Sequence, residues 1–178
     1  MTRALANSSP LIYLAKARAL HLLTSLYSEV LIPLAVYTEV VVKGLNKGFE
    51  DAARVEDAMR KGLIRVCEVS SGETGRVLRV FPELDPGEAE VLALALASKP
   101  CHVIVDDRPA RIAARLLGLE PHGTLYVVLA SVRMGLLTPR EGLKVLDDLV
   151  LAGFRLAPEL YARARTELER LIRPQGKR

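Results

Sequence analysis

Tryptophan is absent from this chain of 178 residues, and five Tyr and three Phe are its only aromatic residues. So few rings argue against base stacking on an aromatic platform of the RNA-recognition type. Asparagine and glutamine occur only as Asn7, Asn46 and Gln175, a bias found in proteins of hot environments. Cysteine is nearly missing as well. Cys67 and Cys101 lie far apart without metal-ligand spacing, which leaves a buried thiol at each as the expectation and gives no sign of an oxidising compartment. No apolar run approaches the roughly 18 residues of a membrane span. Residues 1–7 also lack the basic-then-apolar layout of a signal peptide, so a soluble, cytoplasmic protein is expected. A glycine-rich phosphate loop is missing, because Gly72 to Gly75 has neither the spacing nor the Lys-Ser/Thr end. His21, His102 and His122 show no ligand spacing and no Ser-His-Asp arrangement can be argued, so no histidine receives a metal role.

What is present describes a globular protein. Hydrophobic residues make up 50% of the chain and charged ones 26%, enough for one domain with a substantial core. Lys and Arg exceed Asp and Glu by 25 to 21, a net charge of +4 that permits a nucleic-acid partner without requiring one.

Short apolar segments alternate with helical ones. Strands are predicted at Arg3–Ala6, Val30–Ile32, Ile64–Val69, His102–Val105 and Leu119–His122. Between them the spacing predicts a helix capped by Ser9 and opened by Pro10, a second over about 18–26, and one opened by Pro33 with Leu34, Val36, Tyr37, Val40 and Val41 on its apolar side. Further helices are expected over 47–62, 86–98, 109–117 and 124–134, from Thr138 on and from Pro158 on, with a short one around 73–80 in a stretch that is hard to assign. The 174–178 tail should fray. Such alternation indicates a parallel sheet covered on both faces, with all strand C-terminal ends on one rim.

Two pairs of acids fall at element ends. In Asp85-Pro86-Gly87-Glu88 the pattern is an N-cap, a first-turn proline and a capping-box glutamate, which alone accounts for Glu88. Glu90 lies two residues on and does not share its face. Asp106-Asp107 follows the apolar Val103-Ile104-Val105; one of the two can cap the helix opened by Pro109, while the other stands unexplained at the end of a central strand. Glu39, within an apolar helix, reads by itself as a solvated edge residue. Asn7, Ser8 and Ser9 read as turn and cap residues. Arg108, Arg111 and Arg115 line one helix face beside the aspartates, a solvated stripe with phosphate contact as a second role.

Taken together, Asn7-Ser8-Ser9-Pro10-Leu11-Ile12, Leu31-Ile32-Pro33 through Glu39, Gly87-Glu88-Ala89-Glu90, Val105-Asp106-Asp107-Arg108, Gly123-Thr124-Leu125 and Gly153-Phe154-Arg155-Leu156 occur in an order that resembles the PIN domain, the nuclease fold of VapC-type toxins. More closely, it resembles the PIN-like branch described as predicted nucleic-acid-binding proteins. It covers about residues 5–165. The resemblance implies an α/β three-layer fold, with a central parallel sheet in the order 3-2-1-4-5 flanked by helices. Residues 1–157 would form the PIN-like domain, and 158–178 a C-terminal helix and tail packed on it or extending from it.

The implied activity is divalent-metal-dependent endoribonuclease cleavage, in the manner of a toxin of a toxin–antitoxin pair. Glu39, Glu88 and Asp106 would be the catalytic acids. The Mg²⁺ or Mn²⁺ would be held by these three with Asp107 and Asn7, while Glu90, Ser8 and Thr124 stand behind them. RNA would lie along Arg108, Arg111 and Arg115, and a homodimer through the early helices and an antitoxin protein are implied partners. The family has Asp where this chain has Asn7, so one charge is missing. The alternative is therefore a non-catalytic nucleic-acid-binding or regulatory module with a degenerate metal site.

Overall fold

The computed structural model describes residues 3–98 and 101–172, so the expected fraying of 174–178 lies outside the described residues. Five short strands form one all-parallel sheet: β1 (Arg3–Ala6), β2 (Glu29–Pro33), β3 (Ile64–Cys67), β4 (Cys101–Ile104) and β5 (Glu120–His122), in the order β3-β2-β1-β4-β5. Order and direction are those expected. The register sets Leu5 opposite Leu31 on one side and Val103 on the other. Each is buried, as strands covered on both faces require.

Ten helices, counted among the described residues, surround the sheet. The first two are α1 (Ser8–Lys16) and α2 (Leu20–Leu26). Residues 34–46 form one continuous helix, α3, whose Thr38–Val42 segment is a π turn between the α-helical Leu34–Tyr37 and Lys43–Asn46. Then follow α4 (Glu50–Arg60), α5 (Ser71–Val80), α6 (Pro86–Ala97), α7 (Arg108–Leu116), α8 (Thr124–Arg133), α9 (Pro139–Leu151) and α10 (Pro158–Ile172).

Several local expectations need correction. The first helix begins at Ser8, one residue before the predicted cap at Ser9, because both hydroxyls bond acids elsewhere in the fold. The ambiguous 70–82 stretch resolves into α5, fastened by a capping box between Ser70 and Glu73 that is worth about 1 kcal/mol. Cys67 is half-buried and not fully so, since β3 is an edge strand; neither cysteine is in a disulfide.

The capping boxes at Asp85/Glu88 and Thr138/Glu141 form as the spacing predicts. In α6 the apolar residues run all round the helix, and Val91, Leu92, Ala93, Leu94 and Ala95 are all buried, as such a composition demands. A smaller cluster of Val132, Leu146, Ala164 and Leu168 joins α8, α9 and α10. Gly142 permits that approach: a Cβ there would meet Val132 Cγ2 at 2.6 Å. None of the described helices is long and apolar enough to cross a membrane.

Candidate functional site

The strand order reverses between β1 and β4, and right-handed crossovers leave these two strands toward opposite faces. A crevice opens beyond their C-terminal ends. The backbone N–H of Asn7 donates to the Ile104 carbonyl at 3.0 Å, which ties the residue after β1 to the end of β4. Asn7 stands at the N-cap position of α1 yet makes no side-chain cap bond, so its amide is not consumed by the helix. A Cβ on Gly87 would lie 3.9 Å from Asn7 Oδ1, which brings the amide oxygen close to the start of α6.

The first turn of α1 supplies two hydroxyls. Ser8 Oγ donates to Glu39 Oε2 at 2.5 Å, and Ser9 Oγ donates to Asp106 Oδ2 at 3.3 Å. Glu39 itself sits in the π turn, where the Lys43 N–H reaches back five residues to the Thr38 carbonyl. Such a turn carries one residue more than an α-helical turn and re-aims its side chains. An α-helical wheel therefore misplaces Glu39, and that is why periodicity alone dismisses it.

Asp106 is held from the far side. Thr124 donates both its backbone N–H to Oδ1 and its hydroxyl to Oδ2, each at 2.7 Å. Gly123 makes this possible: a Cβ there would stand 2.9 Å from Asp106 Oδ1. Asp107 occupies the N-cap position of α7 without a side-chain cap bond, so its carboxylate remains available.

These residues meet in one open pocket of about 590 Å³, lined by Asn7, Ser8, Ser9, Glu39, Asp85, Glu88, Asp106 and Asp107 together with Lys16, Arg108 and Arg155. Tyr13 and Phe154, with ring centroids 5.2 Å apart, make its apolar wall. Five carboxylates sharing one pocket disfavour full ionisation. Burial, reinforced by Asp85, Asp107 and Glu39, pushes Glu88 up from 4.5 to about 7, and the Asp85 N–H offsets only part of this. Burial raises Asp106 as well, despite the Thr124 and Ser9 bonds and the neighbouring Arg111.

The donor set is all oxygen and suits a hard dication. Among the described residues, however, only His102, Glu120 and His122 bring three His, Cys, Asp or Glu ligand atoms within 4.8 Å of one another. The pocket acids are thus spaced too widely for a closed three-carboxylate cage. Their arrangement fits Mg²⁺ or Mn²⁺ held by one or two carboxylates with several waters retained.

Two expectations are qualified. Glu90 is not among the residues lining this pocket; its carboxylate accepts the Ala35 N–H at 3.1 Å and so caps α3. Thr124 does not line it either and acts through Asp106. Arg108, Arg111 and Arg115 border a shallow depression of about 350 Å³ that Asp106 also lines. Buried Arg111 Nε has no hydrogen-bond partner among the described residues.

Sequence reasoning missed Lys16 and Arg155, whose approach depends on how α1 and the α9–α10 connection pack. It took Asp85 for a cap alone. The His102, Glu120 and His122 group was also missed, because its members converge only through the β4–β5 register, His102 opposite Glu120.

The PIN-domain family model DUF3368 matches residues 3–170. A comparison with curated proteins gives no match. The match spans both halves of the acidic pocket and all five strands, whose order agrees with the family. The chain belongs to the PIN-domain family.

Proposed function

We propose that this protein is a divalent-metal-dependent endoribonuclease. The observation that carries the reading is the single pocket in which Glu39, Glu88, Asp106 and Asp107 converge at the reversal point of the sheet beside an arginine-lined depression. One or two of Glu39, Glu88, Asp106 and Asp107 would bind Mg²⁺ or Mn²⁺ directly and the others, with the neutral oxygen of Asn7, through its retained waters. When bound, the ion lowers the pKa of a water and offsets the charge building on the scissile phosphate.

The chain's own residues supply the rest. Ser8 and Thr124 fix the orientations of Glu39 and Asp106, so little reorganisation is needed when a ligand arrives. In the metal-free pocket Glu88 titrates near 7, so uptake of the dication would release a proton from it and leave it ionised. Arg108, Arg111 and Arg115 contact phosphates of single-stranded RNA, and Lys16 and Arg155 flank the entry.

The test is cleavage of structured and single-stranded RNA with Mn²⁺ or with EDTA, alongside Asp106→Ala and Glu39→Gln. Metal-dependent cleavage that both variants lose supports the proposal; cleavage that survives EDTA and both substitutions overturns it. Replacing the three arginines by alanine should reduce the salt dependence of RNA binding by a slope of about 2, at roughly 0.7 per phosphate contact. Asn7 favours a second reading, a nucleic-acid-binding module without turnover, for which binding without cleavage is the expected outcome.

Within the nuclease reading we assign a toxin role, restrained by an antitoxin protein in the cytoplasm. Growth arrest on expression of the wild type but not of Asp106→Ala is the supporting result. The same reading includes a homodimer through the early helices, where α3 exposes Leu34, Val42 and Leu45; sedimentation equilibrium decides it.

A further inference from the structure

Outside the lining of the acidic pocket, β4 and β5 bring together a second set of ligands of different chemistry. The register places His102 opposite Glu120, and His122 follows two residues later on the same face. His102 Nε2 lies 3.3 Å from Glu120 Oε2, and His122 Nε2 lies 3.1 Å from Glu120 Oε1. One carboxylate thus stands between two imidazole nitrogens, and the three ligand atoms lie within 4.8 Å of one another. His122 Nε2 is buried and, among the described residues, has only the 3.1 Å approach of Glu120 Oε1, which is not a well-directed hydrogen bond.

The rings are held by their surroundings. The Tyr27 hydroxyl is 3.3 Å from His102 Nδ1, which engages that nitrogen and leaves Nε2 for the carboxylate side. Metal-binding histidines are oriented by such a partner on the second nitrogen. Tyr126 stacks on His122 with centroids 3.7 Å apart and planes 13° apart, and the His102 and His122 rings lie 4.6 Å apart edge to face. Glu120 is the open member, its side chain 65% exposed, so a fourth position can be filled from solvent. Three protein ligands of the His₂Glu type plus water make a tetrahedral zinc set, and imidazole selects Zn²⁺, Co²⁺, Ni²⁺ or Cu²⁺ over Mg²⁺.

We infer that His102, Glu120 and His122 form a transition-metal site of the zinc class, separate from the all-oxygen pocket. Its position gives it a structural effect. β5 is an edge strand of three residues, and a metal shared by His102 and His122 clamps it to β4. The clamp sits just before Gly123, which leaves room for Asp106, and Thr124, whose two bonds fix it, and the His122 carbonyl already accepts the Val105 N–H at 2.8 Å. Metal occupancy therefore stiffens the support of Asp106. The inference stands whether or not the acidic pocket cleaves RNA.

The experiment is calorimetric titration of the tag-free, EDTA-stripped full chain with Zn²⁺, repeated with Co²⁺ while the visible spectrum is recorded. With excess Mg²⁺ present to occupy the acidic pocket, one Zn²⁺ per chain is expected, with tetrahedral Co²⁺ bands under the same conditions. His122→Phe keeps the ring on Tyr126 and should remove this binding, while Tyr27→Phe should weaken it by about tenfold, as expected for an outer partner. Asp106→Asn should leave it unchanged. Absence of stoichiometric Zn²⁺ binding by the wild type overturns the inference, as does full affinity in His122→Phe. If His122→Phe does not fold, zinc-edge X-ray absorption of the loaded wild type decides: two imidazole ligands support the site, and an all-oxygen shell refutes it.

Discussion

Glu88 offers the most direct test of the pocket's electrostatics, through stability and not activity. Its side chain is buried among Asp85, Asp107 and Glu39, and titrates near 7 where an ordinary glutamate titrates at 4.5. In the unfolded chain it loses its proton first, so between about pH 4.5 and 7 the unfolded state binds fewer protons and folding stability falls as pH rises. The full difference corresponds to about 3 kcal/mol, and solvent in the open pocket screens this to about 2 kcal/mol.

Glu88→Gln removes the charge while an amide oxygen continues to accept the Asp85 N–H, so the capping box survives. Thermal unfolding in EDTA should therefore show the variant and the wild type alike near pH 4. Above pH 7 the variant should melt roughly 4–8 °C higher, given about 2–4 °C per kcal/mol for a chain of this size. The raised Asp106 is common to both proteins and cancels in the difference. Adding Mn²⁺ at pH 8 should reverse the order by stabilising only the wild type strongly. A gap between the two melting curves that does not change with pH would refute the reasoning, because it would mean that Glu88 ionises like any exposed glutamate.

Asn7→Asp should tighten Mn²⁺ binding by on the order of tenfold in calorimetry, since ligand charge governs affinity at such sites; unchanged affinity takes Asn7 out of the site. Glu90→Ala should cost about 1 kcal/mol in chemical denaturation through the lost cap on Ala35 while leaving RNA cleavage intact. Loss of cleavage at unchanged stability would return Glu90 to the chemistry. Gly44→Ala should cost about 1–3 kcal/mol, because its Cβ would stand 2.5 Å from the Ala52 Cβ, and Ala52→Gly in the same chain should restore the denaturation midpoint.

Elements governed by neighbours in sequence were legible in the chain. Asp85 and Glu88 close the capping box that their spacing predicts, Thr138 and Glu141 do the same, and all five strands lie within two residues of their predicted bounds. The strand order came from motif order, which resembles a known family; periodicity has no access to it. What escaped depends on contacts between distant elements. The spacing sets Glu88 and Glu90 on different faces without saying which meets the pocket; Glu90 caps α3 from 55 residues away and Glu88 faces the pocket. Ser8 and Ser9 look like caps until α3 and β4 deliver the acids they bond. His102 and His122 acquire a shared carboxylate only once β5 pairs with β4.

The π turn of α3 makes chain length itself a functional quantity. A helix that must satisfy α6 at its start and α4 at its end holds one surplus residue between them, and Glu39 sits in that surplus. Removing any one of residues 38–42 would let the backbone relax to a regular α-helix. The two halves would keep their phase, because the π turn already absorbs the extra residue, but the widened turn that re-aims the side chains of residues 38–42 would be lost. No acid, serine or arginine of the pocket need be altered for this to happen, apart from Glu39 itself if it is the one removed. A change of count, with composition scarcely touched, would part Glu39 from Ser8.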